Sequence, residues 1–219
     1  MPTELLHAFT TPVWVTQYPD FTKHKKKFLS CVNSIRKKDK EGVEISNVNG
    51  YQSKDNLTQY PQLTPLFDYV IHEVVRRAVD DLHFKPCSGI VTGAWVNFND
   101  SKNAVNTLHS HGDTFSGVFY LQAPEESGRL LLQNEAYNPL WDGIFLTENI
   151  NQYTAKVLNI NPIEGELFLW CSHIPHFVLP NKHDKTRVSI SFNVKCFIDD
   201  QPQQQNSESV ADTNESEVE

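Results

Sequence analysis

A chain of 219 residues, 39% of them hydrophobic, is long enough to bury one substantial core. It has no apolar run near the roughly 18 residues of a membrane helix; the longest, from Gly165 to His176, is broken by polar residues and by Pro175. The net charge of −8 is concentrated at one end, since seven of the 27 acidic residues follow Lys195 with no Lys or Arg among them. The remaining 20 acids face 19 basic residues, which argues against a nucleic-acid backbone as the main partner.

The opening MPTELLHAFTTPVW lacks the basic start and apolar stretch of a signal peptide. Cys31, Cys87, Cys171 and Cys196 form no CxxC pair and no dense framework, so they read as reduced thiols of a cytoplasmic protein. Asp20 is placed to cap a first helix running through Phe28, Leu29, Val32 and Ile35. Its lysines at 23 and 25–27, with Arg36 and Lys37, read as a solvated face rather than a nucleic-acid surface. Thr64 as N-cap and Pro65 in the first turn open a second helix. Leu66, Phe67, Val70, Ile71, Val74, Val75, Ala78, Val79 and Leu82 recur along it at helical spacing, as expected of a helix that covers one face of a sheet.

From about residue 89 the texture turns to short β-rich runs: GIVTGAWVNFN, TFSGVFYLQAP, GRLLLQN, KVLNINP, GELFLWCS and TRVSISFNVKCF. Gly, Pro, Asn and Asp separate them, which is the punctuation of a sandwich or barrel. The expected fold is mainly β, a jelly roll or double-stranded β-helix with N-terminal helices packed outside it. One domain is expected over 1–198, helical to about 88 and a β-core from about 89, followed by a disordered acidic tail at 199–219 with no aromatic residue.

Ligand-type side chains are densest in Asn106-Thr-Leu-His-Ser-His-Gly-Asp113. On an extended strand, His109, His111 and Asp113 would all point to one face. His173 and His176 come much later, after another β-run. Two ligands from one strand and a third from a distant one make a facial triad open on its far side, and imidazole with carboxylate suits non-haem Fe(II). Eleven residues beyond His176 stands Arg187, which shares strand parity with Ser189. An inward-facing Arg in a β-core needs an anion, either a core Asp or Glu or the carboxylate of a ligand.

This succession of HxH/HxD, a β-rich stretch, a distal His and an RxS resembles the Fe(II)/2-oxoglutarate-dependent oxygenase superfamily. SNVNGYQS, WVNFN, HSHGD running into SGVFYL, SGRLLLQN, PIEGELFLWCSHIPHFVLPN and RVSISFN together resemble a small family within it, known largely from bacterial and phage genomes. The resemblance implies Fe(II), 2-oxoglutarate and O2 as cofactor and co-substrates, with hydroxylation of a peptide side chain or small molecule and release of succinate and CO2. It implies His176 as the distal metal ligand, and Arg187 with Ser189 as the site for the far carboxylate of 2-oxoglutarate. Tyr120 and Asn97 are further candidate contacts to that co-substrate, and His173 and Trp170 are candidate pocket-lining residues. The remaining ligand pair reads as His109 and His111, with Asp113 as the rival to His109. Two alternatives stay open: a cupin-like metal enzyme that does not use 2-oxoglutarate, and a catalytically silent barrel acting as a binding module.

Overall fold

The β-rich segments pair into two antiparallel sheets. The computed structural model describes residues 3–5, 10–100, 103–141 and 150–199. In chain order the strands are β1 (Val13–Gln17), β2 (Asn47–Val48), β3 (Tyr51–Gln52), β4 (Cys87–Asn99), β5 (Val105–His109), β6 (Phe115–Gln122), β7 (Leu130–Gln133), β8 (Val157–Ile160), β9 (Glu166–Cys171), β10 (His176–Val178) and β11 (Arg187–Ile198). The larger sheet runs β1-β9-β6-β11-β4-β3 and the smaller β2-β5-β10-β7-β8. This is the expected double-stranded β-helix. The acidic tail foreseen from residue 199 lies, after Asp199, outside the described residues.

Strand alternation decides what each layer receives. On β11, Val188, Ile190, Phe192 and Val194 enter the main core, which also holds Phe28 and Val32 of helix α1 (Phe21–Lys38). The other parity carries Arg187, Ser189 and Ser191, which line an internal cavity together with Asn193. Strands β6 and β9 divide the same way. Phe119, Leu121, Leu167 and Leu169 go to the main core, whereas Val118, Tyr120, Phe168 and Trp170 pack with Leu130 and Leu132 of the smaller sheet. A sheet covered on both faces explains why these strands read as nearly continuous apolar runs.

The helices follow their apolar stripes but differ at their ends. Asp20 precedes α1 without a side-chain cap, and its carboxylate lies 3.8 Å from Lys23 instead. Thr64 sits inside the second helical run, whose N-cap is Leu63. That run consists of α2 (Thr64–Tyr69), a π-helical stretch Val70–Val75, and α3 (Arg76–Asp81). Its middle stretch sends Val70, Val74 and Val75 to the buried side, along the apolar stripe read from the sequence. No described helix is long and apolar enough to cross a membrane.

Candidate metal centre and co-substrate cavity

β5 ends on His109 and β10 begins on His176, and the two residues face each other across the antiparallel pair. Their ring centroids are 4.3 Å apart. His111 lies two residues past the end of β5, with its N–H bonded to the Ser172 carbonyl at 3.0 Å. Its ring is 5.0 Å from His109 and 5.3 Å from His176. One nitrogen from each of the three rings falls within 4.8 Å of the others.

The strand-parity expectation for His109, His111 and Asp113 needs correcting. β5 stops at His109, so His111 reaches the cluster from a turn, and Asp113 stands outside it. A bulge adds a second departure: Asn106 and His109, three residues apart, oppose Val178 and His176, two residues apart. The extra residue lets both Asn106 and His109 face the cavity.

Two of the rings are held by backbone. His109 Nδ1 lies 2.6 Å from the Thr107 carbonyl, and His176 Nδ1 lies 3.0 Å from the Ile174 carbonyl. A carbonyl only accepts, so each Nδ1 carries the proton and each Nε2 is left with a lone pair. Burial is the main cause lowering the pKa of His111 to about 4, reinforced by His109 and partly offset by Asp113. Burial also lowers His176 to about 3, with the Ile174 carbonyl opposing and the other two histidines adding to the effect. These two rings are therefore neutral near pH 7, the form that ligates. Three converging imidazoles with open lone pairs fit a divalent transition metal such as Fe(II).

Arg187 lines the same cavity that the three histidines border. Arg187 is 2% exposed and donates from Nη1 to the Gly128 carbonyl and from Nη2 to Asn99 Oδ1, both at 2.8 Å. Its Nε has no partner, and no carboxylate among the described residues pairs with it. The acid next in sequence, Asp100, is engaged by Arg36 and by the Thr186 hydroxyl. A buried guanidinium without a counter-charge is costly, so this part of the cavity fits an anion. Strand register sets the rows beside it: Arg187 opposes Asn99, and Ser189 opposes Asn97 on one side and Tyr120 on the other. All but Asn99 line the cavity, as does Trp170, and Asn97 Oδ1 and Trp170 Nε1 lack partners. Burial raises the Tyr120 pKa to about 12, against the opposing pull of Arg187, so the phenol keeps its proton. The open Trp170 N–H donor and the arginine without a counter-charge fit a short dicarboxylate.

His173 does not line this cavity. The turn after β9 alternates Ser172 and Ile174 inward, at 0% and 3% exposed, and sends His173 outward. Its side chain is 69% exposed, 3.6 Å from Glu135.

Gly128 escaped the sequence reading. Its φ of +92° lies in the region that favours glycine, and a Cβ there would fall 2.3 Å from the Leu179 carbonyl oxygen. The signal was present in the Ser-Gly-Arg turn before β7. Gly128→Ala is expected to cost about 2 kcal/mol or more through backbone strain. A lowered unfolding midpoint together with weaker binding of 2-oxoglutarate would show it, because the displaced carbonyl holds Arg187.

A second cleft lies against His109 and His111. Its walls include Ile45, Gln52, Lys54, Asp55 and Trp95. The segment supplying most of them is closed by a Val43 N–H to Gln52 carbonyl bond of 2.9 Å. His109, His111, Trp95 and Asn193 belong to both spaces, so the histidine cluster borders the cavity and the cleft alike.

Sheet topology and site together define a double-stranded β-helix of the oxygenase kind. Residues 93–193 match the family described as "Putative 2OG-Fe(II) oxygenase". The match spans most of the β-core, and with the histidine cluster it supports an oxidoreductase that works with iron and 2-oxoglutarate. Solved structures share the fold. A prolyl-4-hydroxylase from Pseudomonas putida is 15% identical with a TM-score of 0.55, over 84% of this chain and 93% of that one. A prolyl hydroxylase from Trichoplax adhaerens, in complex with a hypoxia inducible factor peptide fragment, is 16% identical with a TM-score of 0.60, over 86% and 84%. HygX from Streptomyces hygroscopicus, with nickel and 2-oxoglutarate bound, is 12% identical with a TM-score of 0.60, over 85% and 83%. No curated protein matches the sequence.

Proposed function

We propose that His109, His111 and His176 hold the Fe(II), that Arg187 and Ser189 bind the far carboxylate of 2-oxoglutarate, and that Tyr120 and Asn97 contact the same molecule. The observation that carries this reading is the buried Arg187, without an acid partner, lining the same cavity as the histidine cluster. Bound Fe(II) with 2-oxoglutarate and O2 supplies the oxidising chemistry, in which the co-substrate leaves as succinate and CO2 and an oxygen atom is available for a C–H bond of the substrate. The chain's own contribution is orientation and exclusion of water. Arg187 anchors one carboxylate, the three imidazoles fix the metal on one side, and the apolar packing of Val118, Leu130 and Trp170 closes the cavity walls.

The substrate enters through the open cleft, where Trp95 and Ile45 offer apolar surface and Lys54 and Asp55 offer charge. A peptide side chain or a small molecule fits this opening, and the similar folds include one solved with a peptide. The unpaired Arg187 speaks against a cupin-like enzyme without 2-oxoglutarate, in which the arginine would have no ligand. The intact constellation speaks against a silent barrel.

The test is succinate formation by anaerobically purified protein given Fe(II), 2-oxoglutarate and then oxygen, without added substrate. Slow uncoupled succinate release is expected. No succinate together with no detectable 2-oxoglutarate binding would sink the proposal.

A further inference from the structure

Backbone carbonyls orient His109 and His176, but His111 faces a side chain: its Nδ1 lies 3.5 Å from Asn193 Nδ2. Asn193 is itself part of a chain of polar groups. Its Oδ1 accepts from Ser116 Oγ at 2.8 Å, and Ser116 Oγ is 2.8 Å from Ser172 Oγ. Ser116 is 2% exposed and Ser172 is 0% exposed. The Ser172 carbonyl also holds the His111 N–H, so the relay is tied to the backbone that carries the ligand.

Proton positions along this chain are coupled. With the amide N–H directed at His111, Nδ1 must accept, and the neutral ring then carries its proton on Nε2, the atom that would meet the metal. Ligation needs the opposite tautomer, with the proton on Nδ1 and an acceptor facing it. Turning the Asn193 amide by 180° supplies that acceptor, since its oxygen and nitrogen nearly superimpose. Asn193 Nδ2 then donates to Ser116 Oγ, and the Ser116 hydroxyl rotates to donate to Ser172 Oγ. Apart from the exchange of the amide oxygen and nitrogen no heavy atom needs to shift, and no net proton is gained or lost; the imidazole proton passes from Nε2 to Nδ1.

We propose that Asn193, backed by Ser116 and Ser172, is the positioning residue that selects the metal-binding tautomer of His111, and that its amide reverses when the metal binds. This rests on His111 being a ligand, as proposed above. The other two rings are keyed by main chain, so His111 is the one whose readiness a side-chain substitution can change. The sequence carried the signal, because Asn193 shares strand parity with Arg187, Ser189 and Ser191.

The test combines divalent-metal titration, followed by the Co(II) visible spectrum, with ¹⁵N NMR of the histidine rings in metal-free and Zn(II)-loaded protein. His111 is expected as the Nε2–H tautomer without metal and Nδ1–H with Zn(II). Asn193→Leu is expected to weaken Co(II) binding by roughly 10- to 100-fold, the usual effect of losing an outer partner of a ligating histidine. Asn193→Asp, which keeps an acceptor, is expected to bind within about threefold of the parent or more tightly. An Asn193→Leu variant that binds Co(II) as well as the parent, or one tautomer in both states, would overturn the proposal. His111→Ala separates the two readings. If it leaves metal affinity unchanged, the ligand set itself is wrong; if it abolishes binding while Asn193→Leu does not, only the role of Asn193 fails.

Discussion

Replacing Arg187 with methionine is expected to weaken 2-oxoglutarate binding by about 100-fold or more while changing the stability of the ligand-free protein by less than about 2 kcal/mol. The two effects separate because the arginine has no acid partner. Removing one member of a buried charge pair costs about 3–5 kcal/mol, and in the complex that pair is Arg187 with the co-substrate carboxylate. In the ligand-free protein the guanidinium is desolvated for only two neutral hydrogen bonds, to Gly128 and Asn99. Methionine would relieve that desolvation and leave two orphaned acceptors at about 1–3 kcal/mol each, so the changes nearly cancel. Thermal unfolding reads both quantities. With a redox-inert divalent metal present, 2-oxoglutarate at about 100 times its dissociation constant adds about 2.7 kcal/mol, or roughly 5–10 °C for a domain of this size. At the same concentration the variant should shift by about 1 °C. Arg187→Lys should fall between the two, since lysine keeps the charge but loses the planar fork. A full thermal shift in Arg187→Met would mean that the cavity does not bind its ligand through the guanidinium.

What the sequence made visible was what depends on strand alternation and on residue type. The split of Val188, Ile190 and Phe192 from Arg187, Ser189 and Ser191 can be read from the string RVSISFN, because a period of two sorts them. Tyr120 and Asn97 lie beside Ser189 because the β4, β11 and β6 registers align them. What stayed hidden arises where regular structure ends. The β5 bulge and the turn after His109 break the parity that the HxHxD spacing suggested. The Gly128 carbonyl, a group every residue possesses, becomes specific only through a positive φ and the close approach of Leu179. The open cleft depends on a segment in which only β2 and β3, two residues each, are regular, so no periodicity announces it. His173 was misplaced for a related reason: its outward direction is set by the turn that carries Ser172 and Ile174 inward.

The choice between His109 and Asp113 as ligand yields the second large effect. His109→Ala is expected to weaken divalent-metal binding by more than about 100-fold, beyond the 10- to 100-fold typical of an outer partner. Asp113→Ala is expected to change it by less than about threefold. His109 faces His176 directly across the strand pair and has its Nδ1 fixed by the Thr107 carbonyl, so its Nε2 is already aimed. Asp113 acts on the site only through space, where its charge favours the protonated form of His111 and so opposes ligation slightly. Removing it should, if anything, ease metal entry. Charge adds to the distinction: three neutral imidazoles leave the full metal charge uncompensated, so an incoming dicarboxylate is attracted by both the metal and Arg187. With Asp113 as a ligand, part of that attraction would already be spent within the protein. Titration of the two alanine variants with Co(II) decides between them. Loss of binding in Asp113→Ala with retention in His109→Ala would move the carboxylate into the metal shell and require the turn after His109 to close inward on metal binding.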